Sequence, residues 1–270
     1  MTKHIFFRNS QLLQDIKSLK IVFTPAYLLR AILFFIVFYL ISLCVTHFSW
    51  WFLIDKMGIT INHLDSRYWP KFIIVFVVFF WPFLYLFPCL MAKQFLSLNV
   101  SKLILYMGCT FFGAMLCEVL LDTLFVKFTG QPSWIYKIWP IHHGYTSGVG
   151  MFMWPLYGFL IYCMNRAIES NPKLIGMNNG IAKAYLYAID AMVLEILTNI
   201  FAILLFHTYL FYYLPDDLMH FTTIQIFIPY LFLCGLGAAL SWFLELLKKN
   251  FFMIGIAFYL AGVGCLFLLG

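Results

Sequence analysis

The chain has 270 residues, of which 64% are apolar, 21% aromatic and only 10% charged. Soluble domains carry about a quarter charged residues, so this composition, with a mean hydropathy of +0.92, excludes a sizeable soluble domain and reads as one integral-membrane unit. The net charge of +6 is not a nucleic-acid signature, because the basic residues are scattered at segment ends rather than gathered into a stripe.

Residues 1–25 are polar and basic first, without the apolar core and small-residue cleavage site of a signal peptide. Leu12, Leu13, Ile16 and Leu19 share a helical face, and Arg8, Lys17 and Lys20 add positive charge. That pattern fits a cytoplasmic amphipathic helix lying on the membrane surface; a loosely ordered basic tail is the alternative. Residues 26–270 form the transmembrane domain. A spanning helix needs about 20 apolar residues, and seven stretches qualify: 26–54, 72–92, 103–126, 147–165, 184–207, 223–246 and 251–269. Backbone groups in hydrocarbon must be satisfied within the segment, so the fold class is all-α, a polytopic helical membrane protein. Pro82, Pro88, Pro155 and Pro229 fall inside spans and should kink them. The seven cysteines form no CxxC pair and read as small hydrophobes.

Loop charges set the orientation. With the N-terminus inside, the cytoplasmic parts hold Lys3, Arg8, Lys17, Lys20, Arg30, Lys93, Lys102, Arg166, Lys173, Lys183, Lys248 and Lys249, against Lys56, Arg67, Lys71, Lys127 and Lys137 outside. This positive-inside bias puts the C-terminus outside, and in a bacterium the membrane would be the cytoplasmic one. Trp134, Tyr136, Trp139 and Tyr145 crowd the connection between spans three and four, as Tyr209, Phe211, Tyr212 and Tyr213 crowd that between spans five and six. Such rings prefer the headgroup level, so both connections should hug the outer interface or dip into it.

Glu118, Asp122, His143 and Thr146 recur without a gap as Glu195, Asn199, His220 and Thr223, each 77 positions on (195−118, 199−122, 220−143, 223−146). Tyr136 matches Tyr213 and Gly158 matches Gly235 at the same offset. An internal repeat of two parallel helical hairpins is expected, with units at about 103–166 and 184–246. Glu118 and Asp122 are four residues apart and share a helix face, as do Glu195 and Asn199, and Asp190 adds an acid about one turn inward. A carboxylate in an apolar segment must be solvated by a partner, neutralised by a proton or turned to a cavity.

Three functions fit such a set. Glu118, Asp122, Glu195, Asn199, Asp190 and Thr223 can line a translocation pathway for a cation or small solute in a permease-like protein. His143 or His220, with Thr146 or Ser147 and the acids, can serve acid–base chemistry on a lipid near the outer leaflet. Glu118, Asp122, Glu195, His143 and His220 can hold a divalent metal, although no motif such as HExxH supports it. The plainest alternative is a structural or accessory protein in which these groups only bond helix to helix. Depth separates the readings. Glu118 lies about eight residues, or ~12 Å, below the outer end of its span, so it meets His143 and Thr146 only if the connection dips inward or span four begins deep. No P-loop or other nucleotide-binding motif is present, and the expected partners are the bilayer, a small solute, cation or lipid, and an additional subunit or second copy. Gly144 with Gly148, Gly235 with Ala239, and Gly255, Gly262 and Gly264 are expected to bring helices close.

Glu118, the Gly144-Tyr145-Thr146-Ser147 element, Tyr157-Gly158, and then Glu195, Pro215-Asp216-Asp217 and Gly235 resemble a family of small polytopic membrane proteins. These are described in bacteria as ABC-transporter type IV integral membrane proteins and include the animal transmembrane protein 229 group. The resemblance covers about 113–246 and implies a helical membrane fold with a permease-like role. It departs from the family at Gly148, where the family has a Trp, and in lacking the Trp-Asp-Tyr of the second connection.

Overall fold

The computed structural model describes residues 25–61, 69–177, 180–234 and 250–268. The expected surface helix of the N-terminal segment and the pair Gly235 and Ala239 lie outside these residues. The described chain is mostly helical, in the order α1 (Pro25–Trp50), α2 (Trp69–Ala92), α3 (Val100–Thr129), α4 (Gly150–Ser170), α5 (Gly180–Phe206), α6 (Ile224–Cys234) and α7 (Phe251–Leu268). Five of these helices are long and apolar enough to cross a membrane: α1 with its π-helical extension Trp51–Lys56, α2, α3, α5 and α7. The chain is a multi-pass helical membrane protein. The fourth expected span exists as α4, a less apolar helix that lies mostly inside the protein. The sixth is described only as far as Cys234.

Each helix follows from its residues. Asn99 caps α3 by accepting a bond from Lys102 N at 3.1 Å, and Gly130 ends it in the left-handed region at φ 78°. Between those stops run 30 residues, about 45 Å at 1.5 Å per residue, so both ends of α3 reach past a hydrocarbon core of about 30 Å. α1 turns nearly all of its large side chains outward, among them Leu29, Phe34, Val37 and Ile41. It docks on the bundle through Phe35, whose ring lies 4.2 Å from that of Phe227, and through Ala31 O, which accepts from Tyr185 at 2.5 Å. Lipid is the natural solvent for the remaining surface.

The core is built on α3, which packs against α4 on one side and α7 on the other. Small residues permit the approach: a Cβ at Gly158 would press on the Tyr106 carbonyl and Met107 Cα, and one at Gly255 or Gly108 would run into the facing helix backbone. Gly262 seats the ring of Phe111. Gly264 does not share this role, since among the described residues only its own helix comes near. Gly144 and Gly148 are also no helix contact. Gly144 holds a turn at φ +91°, and Gly148 lies under the ring of Trp139, which stacks at 4.2 Å on Trp69.

The two aromatic connections do more than sit at an interface. Each contributes a short strand, β1 (Trp134–Tyr136) and β4 (Phe211–Tyr213), and the strands pair antiparallel with Trp134 opposite Tyr213, Ile135 opposite Tyr212 and Tyr136 opposite Phe211. Lys137 N donating to Leu210 O at 2.8 Å and Leu214 N donating to Ser133 O at 3.0 Å extend the ladder at both ends. A second strand pair, β2 (Pro140–Ile141) with β3 (Thr146–Ser147), closes the first connection on itself. Trp134, Tyr136, Ile138, Leu210, Phe211, Tyr213, Leu218 and Phe221 are all buried. Non-helical backbone folded into a membrane bundle has to satisfy its polar groups inside the protein, and these strands do so by pairing.

The glycine contacts carry a stability prediction. Gly255→Val should lower the thermal unfolding midpoint in detergent by a cost of about 1–3 kcal/mol, the usual penalty of overpacking, whereas Gly264→Val should leave it within error. Equal midpoints for the two variants would contradict the packing described.

Candidate functional site

The site forms where α3, α4, α5 and α6 meet the paired strands. Glu118 sits on α3 with 7% of its surface exposed. Its Oε1 accepts from the hydroxyl of Tyr136 and, at 3.1 Å, from Trp154 Nε1. Glu195 on α5 accepts at Oε1 from Tyr213 at 2.6 Å and from Tyr230, and at Oε2 from Thr222 at 2.5 Å. Tyr136 lies eighteen residues after Glu118, and Tyr213 eighteen after Glu195. In both halves a strand from the connection therefore folds back down and places a phenol on the acid of the preceding helix. Burial, with Glu118 beside it, holds the Tyr136 phenol well above its ordinary value, and burial with Glu195 does the same to Tyr213. Both phenols stay protonated and act as donors.

Asp122 and Asn199, one turn further along, clamp those strands in place. Asp122 Oδ1 accepts from Ser133 N at 2.9 Å, and Asn199 Oδ1 accepts from Leu210 N at 3.0 Å, each eleven residues on. Asn199 Nδ2 also donates to Phe211 O and Phe221 O, both at 2.9 Å. Neither side chain points into open space, and both are fully buried. Both side chains anchor main-chain groups of the connections, and Asp122 Oδ2 has no hydrogen-bond partner among the described residues.

After the strands the hydrogen bonds repeat at an offset of 76 rather than 77. Ser147 Oγ accepts from Val149 N as Thr223 Oγ1 accepts from Gln225 N (223−147 = 76). Trp154 reaches Glu118 as Tyr230 reaches Glu195 (230−154 = 76). Thr222, rather than Thr223, is accordingly the hydroxyl on Glu195, while Thr223 starts α6. Thr146 lies beside Glu118, but its hydroxyl is aimed at Met115 Sδ, 3.6 Å away, and Glu118 Oε2 has no hydrogen-bond partner among the described residues. Ser147 Oγ donates to Ile138 O at 2.6 Å, which ties it to the connection as a turn former.

The histidines stand apart from the acids. His143 is exposed at φ 58°, with Tyr145 as its ring neighbour. His220 stacks on Tyr212 at 4.2 Å and bonds through Nδ1 to Tyr213 O at 2.7 Å. Among the described residues no three His, Cys, Asp and Glu side chains converge closely enough to hold a metal ion. The set Glu118, Asp122, Glu195, His143 and His220 is thus split between two glutamates in the protein, an anchor, and two histidines at the rim. Asp190 is separate again, near Tyr157, Tyr187 and Cys234, with Oδ2 lacking a partner among the described residues.

The donors of the two glutamates meet at one place: Tyr136 and Trp154, which bond to Glu118, line the same cleft as Tyr230, which bonds to Glu195. Glu195, Tyr136, Trp154, Tyr157 and Tyr230 border a cleft whose other walls include Phe76, Phe80 and Leu84 of α2, Leu194 of α5 and Phe211. It encloses about 570 Å³ including its open mouth. Tyr136, Tyr213, Tyr230, Trp154 and Thr222 complete the acid site, so the first two are site donors rather than the interface aromatics that their connections suggest. The signal that finds them is the recurrence of Glu-x17-Tyr in both halves.

Replacing Asn199 by Leu removes an acceptor and two donors from buried main-chain groups, each worth about 1–3 kcal/mol when left unpaired, so thermal unfolding should show a loss of 3 kcal/mol or more. Asp122→Asn keeps the acceptor and should stay within about 1 kcal/mol of the parent. A mild Asn199→Leu would show that the clamp is not what holds the strands. No protein-family model, curated protein or solved structure matches the chain.

Proposed function

We propose that this chain is a permease-like protein that handles a small solute or cation at a site centred on Glu118 and Glu195. The observation that carries this reading is an aromatic-walled cleft lined by Glu195 and by Tyr136 and Trp154, the two donors to the buried Glu118, whose Oε2 is unpartnered among the described residues. Carboxyls at such depth need a partner, a proton or a cation, and a lining that includes Phe76, Phe80, Trp154 and Tyr230 suits a cation as well as an apolar body. The lipid-enzyme alternative is less well supported, because neither His143 nor His220 contacts the acids and the Ser147 hydroxyl is bonded to backbone. A purely structural role leaves the cleft and the unpaired oxygen unexplained.

We also propose that the hairpins of α3–α4 and α5–α6 are copies of one unit. The strand pairing supports this: β1 and β4 cross at Ile135 and Tyr212, themselves 77 apart, so each strand meets the matching residues in reverse order. The Glu–Tyr bonds at a spacing of eighteen and the anchor bonds at a spacing of eleven add to it. Of the elements that resemble the transmembrane protein 229 group, Glu118 belongs to this site, Thr146 lies beside it and Tyr157 lines its cleft. With the N-terminus cytoplasmic, the strands lie toward the outer face and the C-terminus outside.

Reconstituted in proteoliposomes and tested with small cations from sodium to alkylamines under an imposed gradient, the protein should conduct at least one of them. Glu118→Gln and Glu195→Gln should each cut that flux tenfold or more, about 1.4 kcal/mol; flux that survives both changes rules the site out. For orientation, a membrane-impermeant maleimide added to intact cells should label His143→Cys and spare Lys173→Cys, both exposed positions. The reverse pattern inverts the topology.

A further inference from the structure

A second cavity lies at the other end of the bundle from the strands, where α3 begins and α4 ends. It is lined by Asn99, Lys102, Tyr106, Tyr162, Asn165 and Arg166, with Glu169 at its edge, and encloses about 740 Å³ including its mouth. These residues flank apolar spans, which places the cavity at the membrane–water boundary. Nothing in the acid site uses it.

Its chemistry is that of a set of donors. Asn165 is only 8% exposed, and its Oδ1 is taken by the hydroxyl of Tyr187 at 2.8 Å. That bond fixes the amide and leaves its NH2 as the group for the cavity. Tyr162, 2% exposed, accepts from Asn99 N at 2.9 Å through its oxygen, so its own proton remains to be donated. Lys102 and Arg166 add two cations. Arg166 spends one N–H on Glu169 at 2.9 Å, and both of these side chains are near half-exposed, so the pair is weak and four guanidinium protons remain. The N-terminal end of α3 points the same way, with its positive dipole end at the cavity. Buried donors converging with two cations call for a ligand rich in acceptors, and a planar fork beside a point charge is the usual arrangement for phosphate.

We propose that this cavity binds a phosphate group, held by Lys102, Arg166, the Asn165 amide and the Tyr162 hydroxyl. Its position admits two sources, a phospholipid headgroup entering from the leaflet and a free phosphate from the aqueous side. The full-length protein, purified in an uncharged maltoside detergent, is unfolded thermally in the presence of inorganic phosphate, short-chain phosphatidylglycerol or short-chain diacylglycerol. Stabilisation by phosphatidylglycerol alone assigns a headgroup, and stabilisation by inorganic phosphate to the same extent assigns the free anion. In either case the Lys102→Gln/Arg166→Gln protein should need about tenfold more ligand or greater. Equal stabilisation by diacylglycerol, an unchanged response in the double variant, or no response to either phosphate compound overturns the proposal. If the double variant does not fold, the response of the unmodified protein is measured against salt. Steep weakening as salt rises supports the two-cation contact, and a salt-independent response overturns it.

Discussion

A carboxyl group held inside an apolar helical bundle must find donors there, and the rest of this structure follows from meeting that requirement twice. One donor to each acid comes from the next helix, Trp154 and Tyr230, and the others come from the connections, which would otherwise have no reason to leave the headgroup level. To bring Tyr136 onto Glu118 and Tyr213 onto Glu195, each connection folds back beside the helix it has just left. That move drags main-chain amides into the bundle, and they in turn need partners. Pairing β1 with β4 satisfies some, and Asp122 and Asn199 satisfy others. The strands, the anchors and the phenols are consequences of one electrostatic constraint.

The halves meet it unequally. Glu195 has both oxygens occupied, by two phenols and a threonine hydroxyl. Glu118 has one oxygen occupied and the other unpartnered among the described residues. The anchors differ as well: Asn199 gives and accepts, holding two stretches of backbone at Leu210–Phe211 and Phe221, whereas ionised Asp122 only accepts. One half is thus closed around its acid and the other has spare capacity, which suits a site that takes something in from one side.

The membrane class and the long helices were legible because apolar length is a local property of the sequence. The two glutamates were legible too, since a charged residue stands out against hydrocarbon. Their partners were harder to see. Tyr136 and Tyr213 look like interface aromatics until the chain is seen to turn back, and that turn depends on pairing between segments 77 residues apart, which no local pattern specifies. The histidines misled for the opposite reason. Their gapless recurrence holds in the backbone too, with His143 at φ 58° and His220 at φ 60°, yet the surroundings differ: His143 is exposed, while His220 stacks on Tyr212 and bonds to Tyr213 O. Asp122 stands out in the sequence because it is acidic, whereas its bond to the backbone of Ser133 depends on the fold-back and has no local signal. α4 was harder to read from hydropathy because it is covered by protein rather than lipid and carries Asn165 and Arg166 inward to the second cavity.

The central claim is that Glu118 and Glu195 form one site rather than two separate packing contacts. Infrared spectroscopy of the carboxyl stretching region, on the unmodified protein and on Glu118→Gln and Glu195→Gln, tests it most directly. In a shared site, removing either glutamate deletes its own band and also displaces the band of the other, because Tyr136 and Tyr230, which donate to them, line one cleft. Spectra in which each substitution deletes one band and leaves the other unmoved would contradict it.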